Sequence, residues 1–247
     1  MPAKAGIQSS RCMTYIKLFS YFSMNSLSRF IQSAPLLIAF VIFLLCVEFN
    51  LPAAFSMWFG KAYEPIKITS MLFFIAYTSL WFFVVPILLS QFIYKQKWHD
   101  LGLVLPENKI RAVILIFVAM LLLIPAAIFL SQQKPVQMYY SLNHLNVEKL
   151  LFLQLVIFPL YYFFEEFFFR GFLFLHLWQK IKWHSFWIMD ILFTLAHLGK
   201  PLMEIMLSFP AGIVLACLTL STRSIYPAII VHYSMGVTLL LLVNHVI

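Results

Sequence analysis

The sequence predicts an all-α fold, a polytopic transmembrane helical bundle of about seven spans, or eight if one segment is re-entrant. Three observations carry that reading. Hydrophobic residues make up 63% of the chain and charged residues 11%, against about 45–50% and about 25% in soluble domains. Mean hydropathy is +0.92. Successive apolar runs approach the ~20 residues that cross a bilayer, and polar links separate them. At 247 residues one bundle is expected, with no second folded domain. The net charge of +8 would suit nucleic acid, but the basic residues are scattered between apolar runs, as the positive-inside bias places them. The expected partner is therefore the lipid bilayer, and no nucleic acid.

Residues 1–33 are polar and mildly basic, with Lys4, Arg11, Lys17 and Arg29 and no acid. They read as an N-terminal cytoplasmic tail or interfacial segment, with Met13 or Met24 as alternative starts. A cleaved signal peptide is disfavoured, because the leader is long and the apolar run from Pro35 continues past Glu48 towards Trp58. Residues 34–148 read as upstream transmembrane spans. The first lies at about 35–56, the second at about 69–93 and the third at about 110–131, softly interrupted by Pro125. The link from Lys95 to Asn108 is amphipathic, with Trp98 as an interfacial anchor. Residues 132–148 form a polar loop. Residues 149–247 read as the transmembrane core that carries the chemistry. A fourth span at about 149–178 is long enough to tilt or project. A fifth at about 184–199 is followed by the break Gly199-Lys200-Pro201. A sixth at about 202–221 contains Pro210 and Gly212, and a last span covers about 224–247.

With the N-terminus inside, the inner links hold Lys4, Arg11, Lys17, Arg29, Lys95, Lys97, Lys109, Arg111, Lys180, Lys182 and Arg223. The outer links hold Lys61, Lys67, Lys134, Lys149 and Lys200. Eleven against five predicts a cytoplasmic N-terminus. Cys12, Cys46 and Cys217 have no CxxC or Cys/His spacing, so no disulfide framework is expected and the last two read as packing residues.

Ionisable residues inside apolar runs mark the candidate site. A charge near the bilayer centre costs about 2.5–3.5 kcal/mol on insertion scales and usually faces the bundle interior. The fourth span carries Glu165, Glu166 and Arg170, the fifth Asp190 and His197, and the last His232. Glu166 and Arg170 stand at i,i+4 and pair along one helix face. Glu165 lies about 100° further round the helix without a local cation. Asp190 and His197, seven apart, share a face with Phe193. A carboxylate shielded from water can take a proton from a water molecule, and two imidazoles can hold that water, shuttle its proton or donate to an oxyanion. The same Glu165, His197 and His232 could instead ligate a divalent metal such as Zn, the only cofactor to consider. Both routes hydrolyse an amide in or at the edge of the membrane. HExxH and GxSxG are absent.

Glu165-Glu166-x-x-x-Arg170, Phe193-x-x-x-His197 and the segment from Ile225 to His232 resemble the three motifs of the CPBP intramembrane proteases, the Abi-type family of CAAX prenyl endopeptidases and bacteriocin-processing enzymes. The resemblance covers roughly residues 150–240. It implies a helical membrane protease, a hydrolase acting in protein processing on a membrane-embedded, prenylated or C-terminal peptide. It implies Glu165 as the water-activating residue, His197 as its assistant and His232 as the group that binds water or the oxyanion. Glu166, Arg170, Phe193 and Asp190 would support them. Whether a metal takes part is left open, as either a metalloprotease or a glutamate-activated water fits.

One position departs from that pattern. Four residues after His232, where the family carries Asn or Asp, stands Gly236. Ser234, Asn244 and Asp190 are the candidate substitutes, none at i,i+4 from His232. The departure keeps a second reading open, a non-catalytic membrane scaffold or immunity factor of the same family. A proton-coupled carrier using Glu165, Asp190 and His232 is disfavoured because no inverted repeat is found.

Overall fold

The computed structural model describes residues 68–142 and 147–244. The N-terminal segment, the expected span at 35–56, Cys12 and Cys46 lie outside them. The described residues form helices and turns without a strand. In chain order the helices are α1 (Thr69–Ile93) and α2 (Lys109–Ser131), α3 (Lys134–Tyr140), α4 (Glu148–Ile181), α5 (His184–Leu195), and α6 (Leu202–Thr222) and α7 (Tyr226–Val243). Five of these, α1, α2, α4, α6 and α7, are long and apolar enough to cross a membrane.

The segment expected as a fifth span differs. α5 has 12 residues, about 18 Å at 1.5 Å per residue, which is well short of the ~30 Å hydrocarbon core. The chain turns after Leu195 and restarts beyond Gly199, whose φ of 93° ends the run. α5 is thus a half-length helix that carries its polar residues into the bundle. The expected polar loop at 132–148 also contains structure, the seven-residue α3. Pro125 leaves α2 continuous. Ile110, Val113, Phe117 and Leu121 form an exposed stripe on it, the i,i+3/i+4 spacing of a face turned to lipid.

α4 is the axis of the molecule. Its 34 residues extend about 51 Å, and its turns widen to π-helical geometry at Leu153–Ile157 and at Phe167–Leu175. Single wide turns of this kind are associated with functional sites. The second widening begins directly after Glu166, and all nine of its residues are buried. α1 packs along it through aromatic rings, Phe82 stacked on Phe168 at 5.0 Å and Phe83 edge-on to Phe167 at 4.9 Å. Such pairs contribute about 0.5–1.5 kcal/mol beyond the area they bury.

The link after α1 then crosses α4. It forms a short 3₁₀ turn, Trp98–Leu101, closed by the Asp100 carboxylate accepting from the Lys97 N–H at 2.9 Å. Trp98 is exposed, as an interfacial anchor would be, while Leu101 is fully buried. Gly171 on α4 makes this crossing possible, since a Cβ there would sit 2.6 Å from the Leu101 carbonyl oxygen. The Gly102 carbonyl accepts from the Ile225 N–H at 3.0 Å, which sets the start of α7 relative to α4. α7 continues along α2 through a seam of small and branched residues that includes Ala119, Leu123, Ala228 and Val231, the composition that lets membrane helices approach closely. That path brings His232 beside the middle of α4.

Candidate active site

Glu165 and Glu166 close the regular part of α4, and both are buried, at 3% and 0% exposed. Arg170, one turn on, is also 0% exposed and its Nη1 donates to Glu166 Oε1 at 2.9 Å. The i,i+4 pair read from spacing is therefore present. The guanidinium lies over the Phe193 ring, with Cζ 4.0 Å from the centroid, and Nη2 reaches the Gly212 carbonyl at 3.5 Å. One aromatic face and one helix backbone thus hold a cation that cannot reach water.

The expectation for His232 needs one correction. Spacing assigned Glu166 to Arg170 and left Glu165 to meet the imidazoles. Instead His232 Nδ1 donates to Glu166 Oε1 at 2.6 Å and stands 3.9 Å from Glu165 Oε2. A carboxylate oxygen carries two lone pairs, so the same Oε1 accepts from both Arg170 and His232. Glu166 thereby orients the imidazole and leaves Nε2 to act on whatever lies beyond. Among the described residues the Glu165 carboxylate takes no hydrogen bond. It remains the less committed acid.

His197 is held differently. Its Nδ1 donates to the Phe193 carbonyl at 2.9 Å, which makes the neutral ring an acceptor at Nε2. Its ring meets Phe193 edgewise at 4.7 Å, and Phe193 meets His232 at 5.8 Å. Phe193 therefore spaces the two imidazoles as well as covering Arg170. Asp190 is buried with neither oxygen partnered. It packs on Gly212, where a Cβ would lie 1.8 Å from its Oδ1. It adjoins the Arg170 side of the cluster, away from the histidines' cavity.

That cavity, about 660 Å³, is bounded mainly by apolar side chains of α2, α6 and α7, with His197, His232, Tyr162 and Gly236 in its wall. Glu165 does not itself line the cavity; its Oε2 lies 3.9 Å from Nδ1 of His232, which does. On another part of the wall Tyr140 Oη donates to Glu204 Oε1 at 2.7 Å, and Lys200 Nζ lies 3.0 Å from the same oxygen. Burial acts to lower the Lys200 ammonium, but Tyr140, Glu204, Tyr161 and Glu165 outweigh it and hold the group well above its usual value. Burial, and then the Glu204 carboxylate, push the Tyr140 phenol well above the usual range.

Sequence reading missed Tyr162, Lys200 and Glu204. Tyr162 is three residues before Glu165 and four before Glu166, a spacing that places it on their face. Lys200 was read as part of the Gly199-Lys200-Pro201 break, and Glu204, four residues on in the sixth span, was not singled out. The substitutes considered for Gly236 are engaged elsewhere. Asn244 ties α7 to the chain after α3, accepting from the Leu142 N–H at 2.6 Å and donating to the Tyr140 carbonyl at 3.1 Å. Asp190 belongs to the Gly212 contact, and among the described residues no side-chain hydrogen bond ties Ser234 to the site. Cys217, read as a packing residue, is free and exposed on α6.

Glu165, His197 and His232 are the residues that would hold a divalent metal. Among the described residues no three His, Cys, Asp or Glu side chains gather as a ligand set.

Residues 147–238 match the family model of the Rce1-like type II CAAX prenyl endopeptidases. The matched stretch contains α4, α5, α6 and most of α7, and with them every residue of the cluster. No curated protein and no solved structure gives a match.

Proposed function

We propose that this chain is an intramembrane endopeptidase that hydrolyses a peptide bond in a membrane-embedded or lipidated protein. The observation that carries the reading is the meeting of Glu165, Glu166 and His232, 66 positions apart in sequence, beside an apolar cavity. Buried ionisable groups of a membrane bundle mark functional paths. The match of residues 147–238 to a prenyl endopeptidase family supports the same chemistry. The cavity's apolar lining suits a substrate with a hydrophobic or lipidated segment.

In this mechanism Glu165 takes a proton from a water molecule near the inner end of the cavity, and the water oxygen attacks the scissile carbonyl carbon. His197, an acceptor at Nε2, holds the attacking water. His232, oriented by Glu166, donates from Nε2 to the tetrahedral oxyanion when its ring is protonated. The C–N bond then breaks and the proton on Glu165 passes to the leaving amine. Arg170 pairs directly with Glu166, and Glu166 in turn holds the His232 ring in place. No step requires a metal ion.

The test is cleavage of a tethered membrane peptide by purified protein in lipid nanodiscs. Glu165→Gln and His197→Ala are expected to lose at least about 100-fold in kcat, while EDTA leaves wild-type turnover unchanged. Retained cleavage in both variants would falsify the assignment. Loss under chelation that is restored by Zn²⁺ would replace the metal-free route.

A further inference from the structure

The space left by Gly236 is filled. A Cβ on Gly236 would lie 1.8 Å from Tyr162 Oη and 2.6 Å from its Cζ, so the phenol end of Tyr162 rests directly on the α7 backbone. Gly236 is one turn beyond His232, and the Tyr162 ring lies 4.6 Å from the imidazole. Both residues line the cavity with His197. Among the described residues the Tyr162 hydroxyl has no protein hydrogen-bond partner. This is unlike Tyr233, whose hydroxyl donates to the Gln154 carbonyl at 2.7 Å, and Tyr140, whose hydroxyl donates to Glu204. A phenol without a protein partner at the wall of a cavity is a donor held for something that enters it.

We infer that Tyr162 is a further catalytic residue of this site, its hydroxyl donating to the oxyanion in the place that a side chain at position 236 would otherwise occupy. The inference rests on the endopeptidase reading above. Helical spacing puts Tyr162 on the same face of α4 as Glu165 and Glu166, so base, orienting acid and donor come from two consecutive turns. The aromatic wall against His232 leaves the phenol few alternative directions, which is the preorganisation that makes such donors effective. When water adds to the carbonyl, the oxygen that gains negative charge accepts from Tyr162 Oη. The phenol keeps its proton throughout. Glu165 receives the water proton and returns it to the amine, leaving a carboxyl product and a free amine. Gly236 then has a positive role, since any side chain there would expel the hydroxyl.

The experiment compares wild type with Tyr162→Phe, which keeps the ring on Gly236 and His232 and removes only the hydroxyl. The expected result is a fall in kcat of about 100-fold, the loss of one oxyanion donor, with KM little changed. A second readout uses the non-cleaving Glu165→Gln background, where binding of a substrate peptide and of its phosphonamidate analogue is measured. Tyr162→Phe should weaken the analogue and spare the substrate. Wild-type kcat in Tyr162→Phe, or an equal loss for both peptides, overturns the inference while leaving the endopeptidase reading intact. If wild type cleaves no membrane peptide, both fall together.

Discussion

Glu166→Gln separates the two adjacent acids by what each does for the protein. The substitution keeps the volume and one acceptor oxygen but removes the charge facing Arg170. Both side chains of that pair are 0% exposed, and Arg170 Nε already lacks a partner. Neither water nor a longer reach to the interface can relieve the stranded guanidinium. Breaking a buried pair by removing one partner costs about 3–5 kcal/mol, whereas replacing both by apolar groups is often close to neutral. Glu166→Gln, Glu166→Leu and Arg170→Met should therefore each lower stability by about 3–5 kcal/mol, and Glu166→Leu with Arg170→Met together by much less than the sum of those two singles. By contrast, Glu165→Gln removes no hydrogen bond within the described residues and should stay within about 1 kcal/mol of wild type while abolishing turnover. The assay is reversible unfolding in mixed micelles, followed by circular dichroism, for the singles and the double. Additive losses in the cycle, or a Glu166→Gln loss under about 1 kcal/mol, would refute the account of Glu166 as the acid that the buried cation depends on.

Two further outcomes follow from close contacts and from charge. Gly212→Ala places a Cβ 1.8 Å from Asp190 Oδ1 and should destabilise by about 1–3 kcal/mol through overpacking; combining it with Asp190→Ala should recover most of that loss in the same unfolding assay. Lys200 and Tyr140 both titrate above their usual values of 10.5 and 10.0 in the folded protein. A raised folded value means that their contribution to stability is complete below the unfolded value and is lost as pH rises through the folded one. Thermal unfolding should therefore be insensitive to these two groups from pH 6 to 9, with a decline above about pH 10 that Lys200→Met and Tyr140→Phe each reduce. An unchanged alkaline decline in both variants would remove the Tyr140–Glu204–Lys200 group from the account.

Much of the bundle was legible because its determinants are local. Hydropathy and run length place α1, α2, α4, α6 and α7 within a few residues, since a helix in lipid must satisfy its own backbone and needs only enough apolar residues to do so. The Glu166–Arg170 pair was legible for the same reason, as four residues along one helix are neighbours whatever surrounds them. α5 was misjudged because the apolar run at about 184–199, itself shorter than the ~20 residues that cross a bilayer, was counted as a span. What shortens it is the turn at Gly199 and its burial among other helices, neither of which hydropathy sees.

The residue types of the site, two acids, an arginine and two histidines in three apolar segments, were determined by the sequence alone, because each is too costly in lipid to be incidental. Their assignment to one another was decided only by the tertiary structure. His232 meets Glu166 before Glu165 because the link through Gly102 and Gly171 sets where α7 starts and thus how it lies against α4. Gly236 reads in sequence as a missing side chain. In three dimensions its Cα supports the Tyr162 hydroxyl, a contact between residues more than seventy positions apart that no spacing along a single helix can express.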